Sequence, residues 1–430
     1  VTLHPTLAAL FRALDGAGVV WCVLRGEDEL ALPAGDVDLL VAEAHVPRLR
    51  QAAAELGFAP VPAWGYGSHA FFVGYDPTRD LWLKLDVVTE LAFGPGFALA
   101  TGAETEVLAR RRRVDGAWVP DRDDAFWALL LHRLLDKDGI DPGAAERLAA
   151  LAPAARADGP LGRVVDRLSP PGRRAADVSA AARRGDWAAL TGLGSGLAAA
   201  WRRERRGDVR RRAAANAVRL WSGKVLRLSR RRGVRVALVA PDGAGKSTLS
   251  RGLETAFYFP VRSIHMGLYQ TPRPRGRRHV PGIGLAAQLS AQWAGWVRGV
   301  YHQRRGRLVL YDRYVYDALV PTRFHYSRRG RARRWLLAHA CPAPELVVFL
   351  DAPGEVLHAR KGEKTVELLE SQRRAYRTLL ARLPRAAIVD ASRDAEHVRP
   401  EVTAIIWSEY RRRWNGRDDA AAVRAPACES

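Results

Sequence analysis

Short β-branched runs alternate with amphipathic stretches along this chain, and the two periods separate strand from helix. Apolar positions at helical spacing occupy residues 5–17 and stop at Gly16 and Gly18. Residues 19–24 and 36–41 read as strands joined through a turn at Arg25-Gly26, and a helix near 46–56 closes at Gly57. Aromatic pieces at 69–75 and 81–88 read as further strands, the second alternating as LWLKLDVV. Residues 124–135, DAFWALLLHRLL, form a strongly apolar helix in which His132 reads as a packing or surface residue. Antiparallel strands beside helices predict an α+β or mixed α/β unit over residues 1–140.

The pattern weakens over 141–232. Residues 140–200 are rich in Ala, Gly and Pro, with helical stretches and no chemical motif. Residues 201–235 carry 14 Arg or Lys against two acids, Glu204 and Asp208. Val209, Ala213, Ala217, Leu220, Trp221, Val225 and Leu228 keep a helical period there, which Gly223 interrupts. The segment reads as a helical, Arg-rich connector, either a solvated linker helix or a basic amphipathic helix on an anionic membrane. No groove-reading or base-stacking module is recognisable, so nucleic acid is not an expected partner.

Beyond 233 the apolar runs become continuous, at 234–239, 261–265, 307–311, 346–350 and 386–389. Helical segments at 246–256, 284–304, 354–360 and 366–382 separate them. Continuous runs spaced by helices are the mark of buried parallel strands with crossovers. Residues 267–283 read as a loop, and Trp293, Trp296, Val297 and Tyr301 as a core-facing stripe. The domain therefore spans 233–415, with a polar, Ala-rich tail at 416–430 expected to be disordered.

Composition narrows the partners. The 430 residues hold 68 Lys and Arg against 46 Asp and Glu, a formal net charge of +22, and only six of the cations are lysine. Such a balance suits anionic partners; a chain-wide arginine bias, in keeping with the high alanine content, is the other source. Cys22, Cys341 and Cys428 are scattered, without metal or disulfide spacing, as a reducing cytoplasm favours. No basic region precedes an apolar core at the N-terminus, and no long uncharged apolar run occurs, so neither a secretory signal nor a membrane span is expected.

The chemistry concentrates in VRVALVAPDGAGKSTL, residues 234–249. Strand, glycine loop and helix follow one another as a P-loop requires. Asp242, Gly243, Ala244, Gly245, Lys246, Ser247 and Thr248 form the candidate phosphate cradle, although Ala240 stands where the pattern has its first glycine. Gly243 and Gly245 let amides turn inward, Lys246 reaches phosphate, and Ser247 is placed for magnesium. Asp312 and Arg313 stand at the carboxyl end of the 307–311 strand, where open parallel sheets bind ligands. A carboxylate there positions magnesium or an acceptor hydroxyl; an arginine neutralises a transferring phosphoryl group. RKGEKT at 360–365 places Arg360, Lys361 and Lys364 on a turn made flexible by Gly362, able to close over ATP. In the first domain, Asp36 and Asp38 share one strand face, and Asp86 on another strand completes a three-carboxylate candidate for magnesium.

These motifs carry two resemblances. Residues 5–140, with the D-x-D and a third aspartate on a later strand, resemble nucleotidyltransferases of the polymerase β type, with Gly26-Glu27 where that family has Gly-Ser. Residues 233–412, with APDGAGKST, YDRY and VVFLDAPGEVLHARKGEK, resemble thymidylate kinase and its P-loop relatives. The second resemblance implies a five-stranded parallel sheet flanked by helices, and ATP and magnesium at Lys246 and Ser247. It further implies that Asp312 and Arg313 address the acceptor phosphate and metal, that Asp242 contacts an acceptor hydroxyl, and that Arg360 or a neighbour is the lid arginine. Val315–Ala318 and the Leu-Val-Pro after it replace the serines and tyrosine–glutamine pair that follow DRY in thymidylate kinases, so dTMP is not implied as acceptor.

The expected architecture is thus an N-terminal nucleotidyltransferase-like α+β domain, a basic connector and a C-terminal P-loop kinase α/β domain. The expected function is ATP- and magnesium-dependent phosphotransfer to a nucleoside monophosphate, another small molecule or a glycan precursor. Two other readings stay open: a non-catalytic, nucleotide-gated protein docking on membrane or nucleic acid through residues 201–235, and a bifunctional enzyme with an active nucleotidyltransferase half.

Overall fold

A computed structural model describes residues 3–61, 68–137, 139–169, 173–230, 233–267, 283–321 and 328–422. Most of the loop expected at 267–283 lies outside the described residues. The chain divides into two compact units, Val1–Gly74 with Trp82–Val225, and Tyr75–Leu81 with Leu226–Ser430.

The first unit opens with α1 (Pro5–Gly16), β1 (Trp21–Arg25), β2 (Asp36–Val41), α2 (Val46–Glu55), β3 (Ala59–Pro60), β4 (His69–Asp76) and β5 (Leu81–Val88). The sheet order is β1-β2-β5-β4-β3. β1 and β2 run antiparallel, whereas β2 and β5 run parallel, so the sheet is mixed. Two small hairpins follow, β6 (Ala92–Phe93) with β7 (Leu99–Ala100), and, after α3 (Glu104–Ala109), β8 (Arg112–Val114) with β9 (Ala117–Val119). Helices α4 (Arg122–Leu135), α5 (Pro142–Leu151), α6 (Pro160–Leu168), α7 (Ala175–Arg184), α8 (Trp187–Thr191) and α9 (Gly194–Glu204) complete it. Asp121 caps α4 by accepting from the Asp123 amide, and both faces of that helix are apolar enough to be buried.

Residues of the expected connector share a core with the N-terminal strands: Leu148, Leu161 and Trp201 pack with Leu24, Phe126 and Trp127. Each such side chain withdrawn from water contributes about 1.5–3 kcal/mol, so α5 to α9 are structural parts of this unit. Then α10 (Arg206–Arg230) runs unbroken through Gly223, where the sequence pattern suggested an interruption. Gly costs only about 1 kcal/mol inside a helix, which the flanking Arg, Leu and Lys residues offset. Arg212 pairs with Glu90 at 2.8 Å, and Asn216 donates to the Gly96 carbonyl at 2.6 Å.

The second unit holds β10 (Arg235–Val239), α11 (Lys246–Ala256), β11 (Val261–His265), α12 (Ile283–Arg304), β12 (Leu308–Asp312), α13 (Arg328–Ala338), β13 (Leu346–Asp351), α14 (Gly354–Lys361), α15 (Val366–Leu380), β14 (Ala386–Asp390) and α16 (Ala395–Ala422). Its five-stranded sheet has the order β11-β12-β10-β13-β14, and every pair is parallel. Every residue of β10 and β13 is buried, as strands covered on both faces require.

One expectation fails. Trp293, Val297 and Tyr301 do not face the core; they are 46%, 55% and 52% exposed, and only Trp296 packs against it. The buried face of α12 instead carries Gln292, Trp296 and Gln303, with Gly299 so close to β12 that a Cβ there would lie 1.9 Å from the Tyr311 hydroxyl. The stripe spaced by four residues sits one face round from the one that meets the sheet. α16 reaches Ala422, seven residues into the segment 416–430 that was expected to form the tail. Residues 423–430 lie outside the described residues. Among the described residues no helix is long and apolar enough to cross a membrane.

Candidate functional site

Parallel pairing brings the ends of β10 and β12 together, with Leu238 opposite Asp312. The loop leaving β10 therefore faces the loop leaving β12 at one sheet edge. Gly243 and Gly245 both take left-handed backbone conformations, with φ of 91° and 84°, open to glycine at no steric cost. A Cβ on Gly243 would lie 2.6 Å from the Leu357 carbonyl of α14, so the loop also needs glycine for space. No side chain caps α11, which leaves its first-turn amides and positive dipole end available to an anion. Ser247 and Thr248 stand exposed on that first turn.

Lys246 is 8% exposed, and its ammonium donates to the carbonyls of Ala240 and Pro241 at 2.8 and 2.9 Å. Those contacts explain why alanine suffices at 240: the residue serves through its carbonyl, and its φ is not positive. Burial pushes the Lys246 ammonium down to about 8, and the Arg313 charge adds to the effect against Asp317, Asp242 and Asp312.

Asp242 organises the cations. One oxygen accepts from Arg313 Nη2 at 2.6 Å and the other pairs with Lys364 Nζ at 2.8 Å. Burial alone would raise this carboxyl; Lys364, Arg313 and Lys246 overcome it and hold the group below the usual carboxylate range. Arg313 adopts a φ of 67°, an uncommon conformation for a non-glycine residue and one of the order of 1–2 kcal/mol uphill. Its other arm lies 3.4 Å from Asp317, which also accepts from the Tyr376 hydroxyl of α15 at 2.8 Å. Burial pushes Asp317 up, opposed by Arg313 and Tyr376. Asp312 is reached by His265 Nδ1 at 3.3 Å.

The lid turn departs from expectation in one respect. Arg360 is tied to the carbonyls of Ala391 and Ser392, at 2.7 and 3.0 Å, after β14. Lys364, four residues on, is the cation that faces Asp242. Gly362 ends α14 with a φ of 69°, and this reversal swings Lys364 back toward the loop. The Lys364 carbonyl is bound to His358 Nδ1 at 2.7 Å, and α15 anchors on the sheet through Arg373 and Arg377 with Asp351. Sequence reading missed Asp317, Tyr376 and His265. Asp317 stands four residues after Arg313, and that spacing of opposite charges was the available signal.

In the first unit the register sets Asp38 opposite Asp86, as the shared-face reading required. Each carboxylate, however, has a hydrogen-bonding partner of its own. Asp38 accepts from Arg25 at 2.6 Å, Asp36 from Lys84 at 2.5 Å, and Asp86 meets His69 at 3.0 Å. Among the described residues no group of three His, Cys, Asp or Glu is arranged to hold a metal ion. Lys84 lies opposite Asp36 in the parallel register and pairs with that carboxylate, while Asp38 and Asp86 stand opposite one another. His132 bonds to Asp136 at 2.8 Å.

No protein-family model and no curated protein matches the chain. Among solved structures, the thymidylate kinase of Candida albicans matches with a TM-score of 0.34 and 21% identity, over 42% of this chain and 93% of that one.

Proposed function

We propose that the second unit is an ATP- and magnesium-dependent phosphotransferase, its acceptor a nucleoside monophosphate, another small molecule or a glycan precursor. The observation that carries this is the convergence of buried Lys246 with half-buried Asp242, Arg313 and Lys364 at the carboxyl edge of a parallel sheet. The left-handed glycines, the uncapped helix start and the buried ammonium fit a triphosphate chemically. Ser247 and Asp312 are the oxygen donors for magnesium, which when bound neutralises phosphate charge.

Lys246 exchanges its two carbonyl contacts for phosphate oxygens. Arg313, held by Asp242, presents a guanidinium to the group in transfer. Asp242, kept ionised, accepts from an acceptor hydroxyl. Lys364 brings a further positive charge when the turn at Gly362 closes, and water is excluded. Catalysis then comes from positioning and charge neutralisation.

The test is ATP consumption by purified protein against an acceptor panel, starting with dTMP and other nucleoside monophosphates and going on to sugars and sugar phosphates. Turnover with one acceptor is expected, and Lys246→Ala should abolish it while circular dichroism stays unchanged. Full phosphotransfer by that variant overturns the assignment.

A second reading concerns α10. Val218 and Trp221 are 66% and 73% exposed on this Arg-rich helix, which favours peripheral contact with an anionic membrane. Cosedimentation with vesicles of anionic phosphatidylserine and neutral phosphatidylcholine tests it; binding unaffected by Trp221→Ser counts against it.

A further inference from the structure

The segment from Glu90 to Phe97 stands between two cavities of the first unit. On one side lies a cavity of about 640 Å³, walled by Leu91, Phe93 and Phe97 against His69 and His132. On the other lies one of about 390 Å³, where Ser68 and Thr89 meet Arg212 and Asn216 of α10. Glu90 and Phe97 line both, so the segment is a thin partition. Its shape is imposed from outside. Gly94, Gly96 and Phe97 take left-handed conformations, with φ of 73°, 68° and 52°. Glycine does so freely; phenylalanine does so only where its surroundings compel it. The Phe97 ring stacks on the His69 imidazole with centroids 4.0 Å apart, and the Gly94 amide donates to Asp136 at the end of α4 at 2.6 Å. The remaining ties come from α10. Asn216 donates to the Gly96 carbonyl at 2.6 Å, and Arg212 forks to Glu90 at 2.8 and 3.1 Å. Among the described side chains of α10, Asn216 is the buried one, while Ala213, Ala214, Ala215 and Ala217 around it are exposed.

From this arrangement we infer that the segment is a gate between the two cavities and that α10 is the strap that keeps it shut. With Arg212 and Asn216 in place, Phe97 is held over His69 in its left-handed conformation. When α10 lifts, the Gly96 carbonyl and Glu90 lose their ties and Phe97 relaxes. Its ring then leaves the imidazole, and the two cavities join. The route so opened leads to the His69–Asp86 pair. The coupling is reciprocal: whatever fills the larger cavity by displacing Phe97 also loosens α10. The inference depends neither on the P-loop reading nor on the membrane reading of α10.

The test is hydrogen exchange on the full chain, read beside the rate at which diethyl pyrocarbonate modifies His69. Arg212→Gln combined with Asn216→Ala should speed exchange at Gly96, Phe97 and Ala98 about tenfold, as loss of these hydrogen bonds does, and should speed His69 modification with it. Both replacements are good helix formers, so α10 stays helical. The exposed His397 of the second unit should keep its rate and serves as the reagent control. Arg211→Gln, beside Arg212 but paired with Asp208, should change neither quantity. Phe97→Gly removes the ring at a backbone position glycine accepts, and should by itself speed His69 modification. If exchange or His69 modification stays at the parent value in the double variant, the strap is overturned. Faster exchange spread equally over β2 and β5 overturns it too, because that is loss of fold and not opening of a gate. An unchanged His69 rate in Phe97→Gly overturns the gate.

Discussion

Arg313 spans from the end of β12 to Asp242 in the glycine loop, Nη2 to Oδ1 at 2.6 Å, while its other arm faces Asp317. A lysine in this place cannot fork to two carboxylates. Arg313→Lys is therefore expected to lower turnover about 10²-fold with little change in nucleotide affinity, as the loss of a contact made in the transition state does. Steady-state kinetics on the acceptor found by the screen, beside nucleotide titration, measure both quantities. An unchanged turnover number would remove Arg313 from the chemistry.

Lys364 and Arg360 separate by partner. Lys364→Gln takes a cation from Asp242, whereas Arg360→Gln releases only two carbonyls beyond β14. The first variant should lose roughly tenfold in turnover, by the worth of one charge-assisted contact. The second should keep its turnover and show a small loss of thermal stability. Equal losses of activity would assign the closing role to the arginine instead.

Lys246 gives the site a pH limit. With its ammonium pushed down to about 8 by burial and by Arg313, the free protein loses that proton as pH rises through 8. Phosphate binding favours the charged form, so nucleotide affinity should fall by up to about tenfold per unit above pH 8. Proton uptake on binding should accompany it, visible by calorimetry in buffers of different ionisation enthalpy. Stability runs the other way. Between about 8 and the ordinary lysine value of 10.5 the unfolded chain binds the extra proton, so this residue makes folding more favourable as pH rises through that window.

Asp124 provides the opposite sign in the first unit. Its side chain is fully buried, with Oδ1 near Arg110 and Oδ2 without a partner. Burial raises it to about 7, against the pull of Arg110. A carboxyl raised in the folded state contributes stability that is present below its ordinary value of 3.8 and is lost as pH rises through about 7. Asp124→Asn should remove that decline, so its melting temperature should gain on the parent's between pH 5 and pH 8. A parallel pair of melting curves against pH would refute the linkage.

Gly299 tests the packing of α12. Gly299→Ala would press a methyl against the Tyr311 hydroxyl and should cost about 1–3 kcal/mol, the usual penalty of overpacking. Tyr311→Phe in the same chain should restore only part of it, since the hydroxyl is the nearest obstruction but ring Cζ lies 2.7 Å from the same methyl. Denaturant titration of the single and double variants measures the coupling.

Most of the second unit was legible because its strands are continuous apolar runs and its loop chemistry is local. Gly243, Gly245 and Lys246 lie within four residues, and their geometry follows from backbone rules alone. What escaped were pairings decided by tertiary register. Nothing local distinguishes Lys364 from Arg360; only the left-handed turn at Gly362 decides which of them returns to Asp242. The same holds for Asp36, Asp38 and Asp86. Alternation put them on one face, but the partners that occupy them, Lys84, Arg25 and His69, each reach across from a neighbouring strand of the sheet. The α12 stripe misled because apolar spacing fixes a helical face without saying which face the sheet takes.

Tyr376 binds one oxygen of Asp317 while Arg313 approaches the other, so a single carboxylate joins α15 to the end of β12. Lys364 and Asp242 link the same two regions by a separate route. A displacement of the segment that follows Gly362 therefore transmits to the guanidinium twice over. For a two-substrate enzyme this predicts synergy: whichever ligand settles first improves the fit for the second, and by thermodynamic reciprocity the gain is the same in either order of addition.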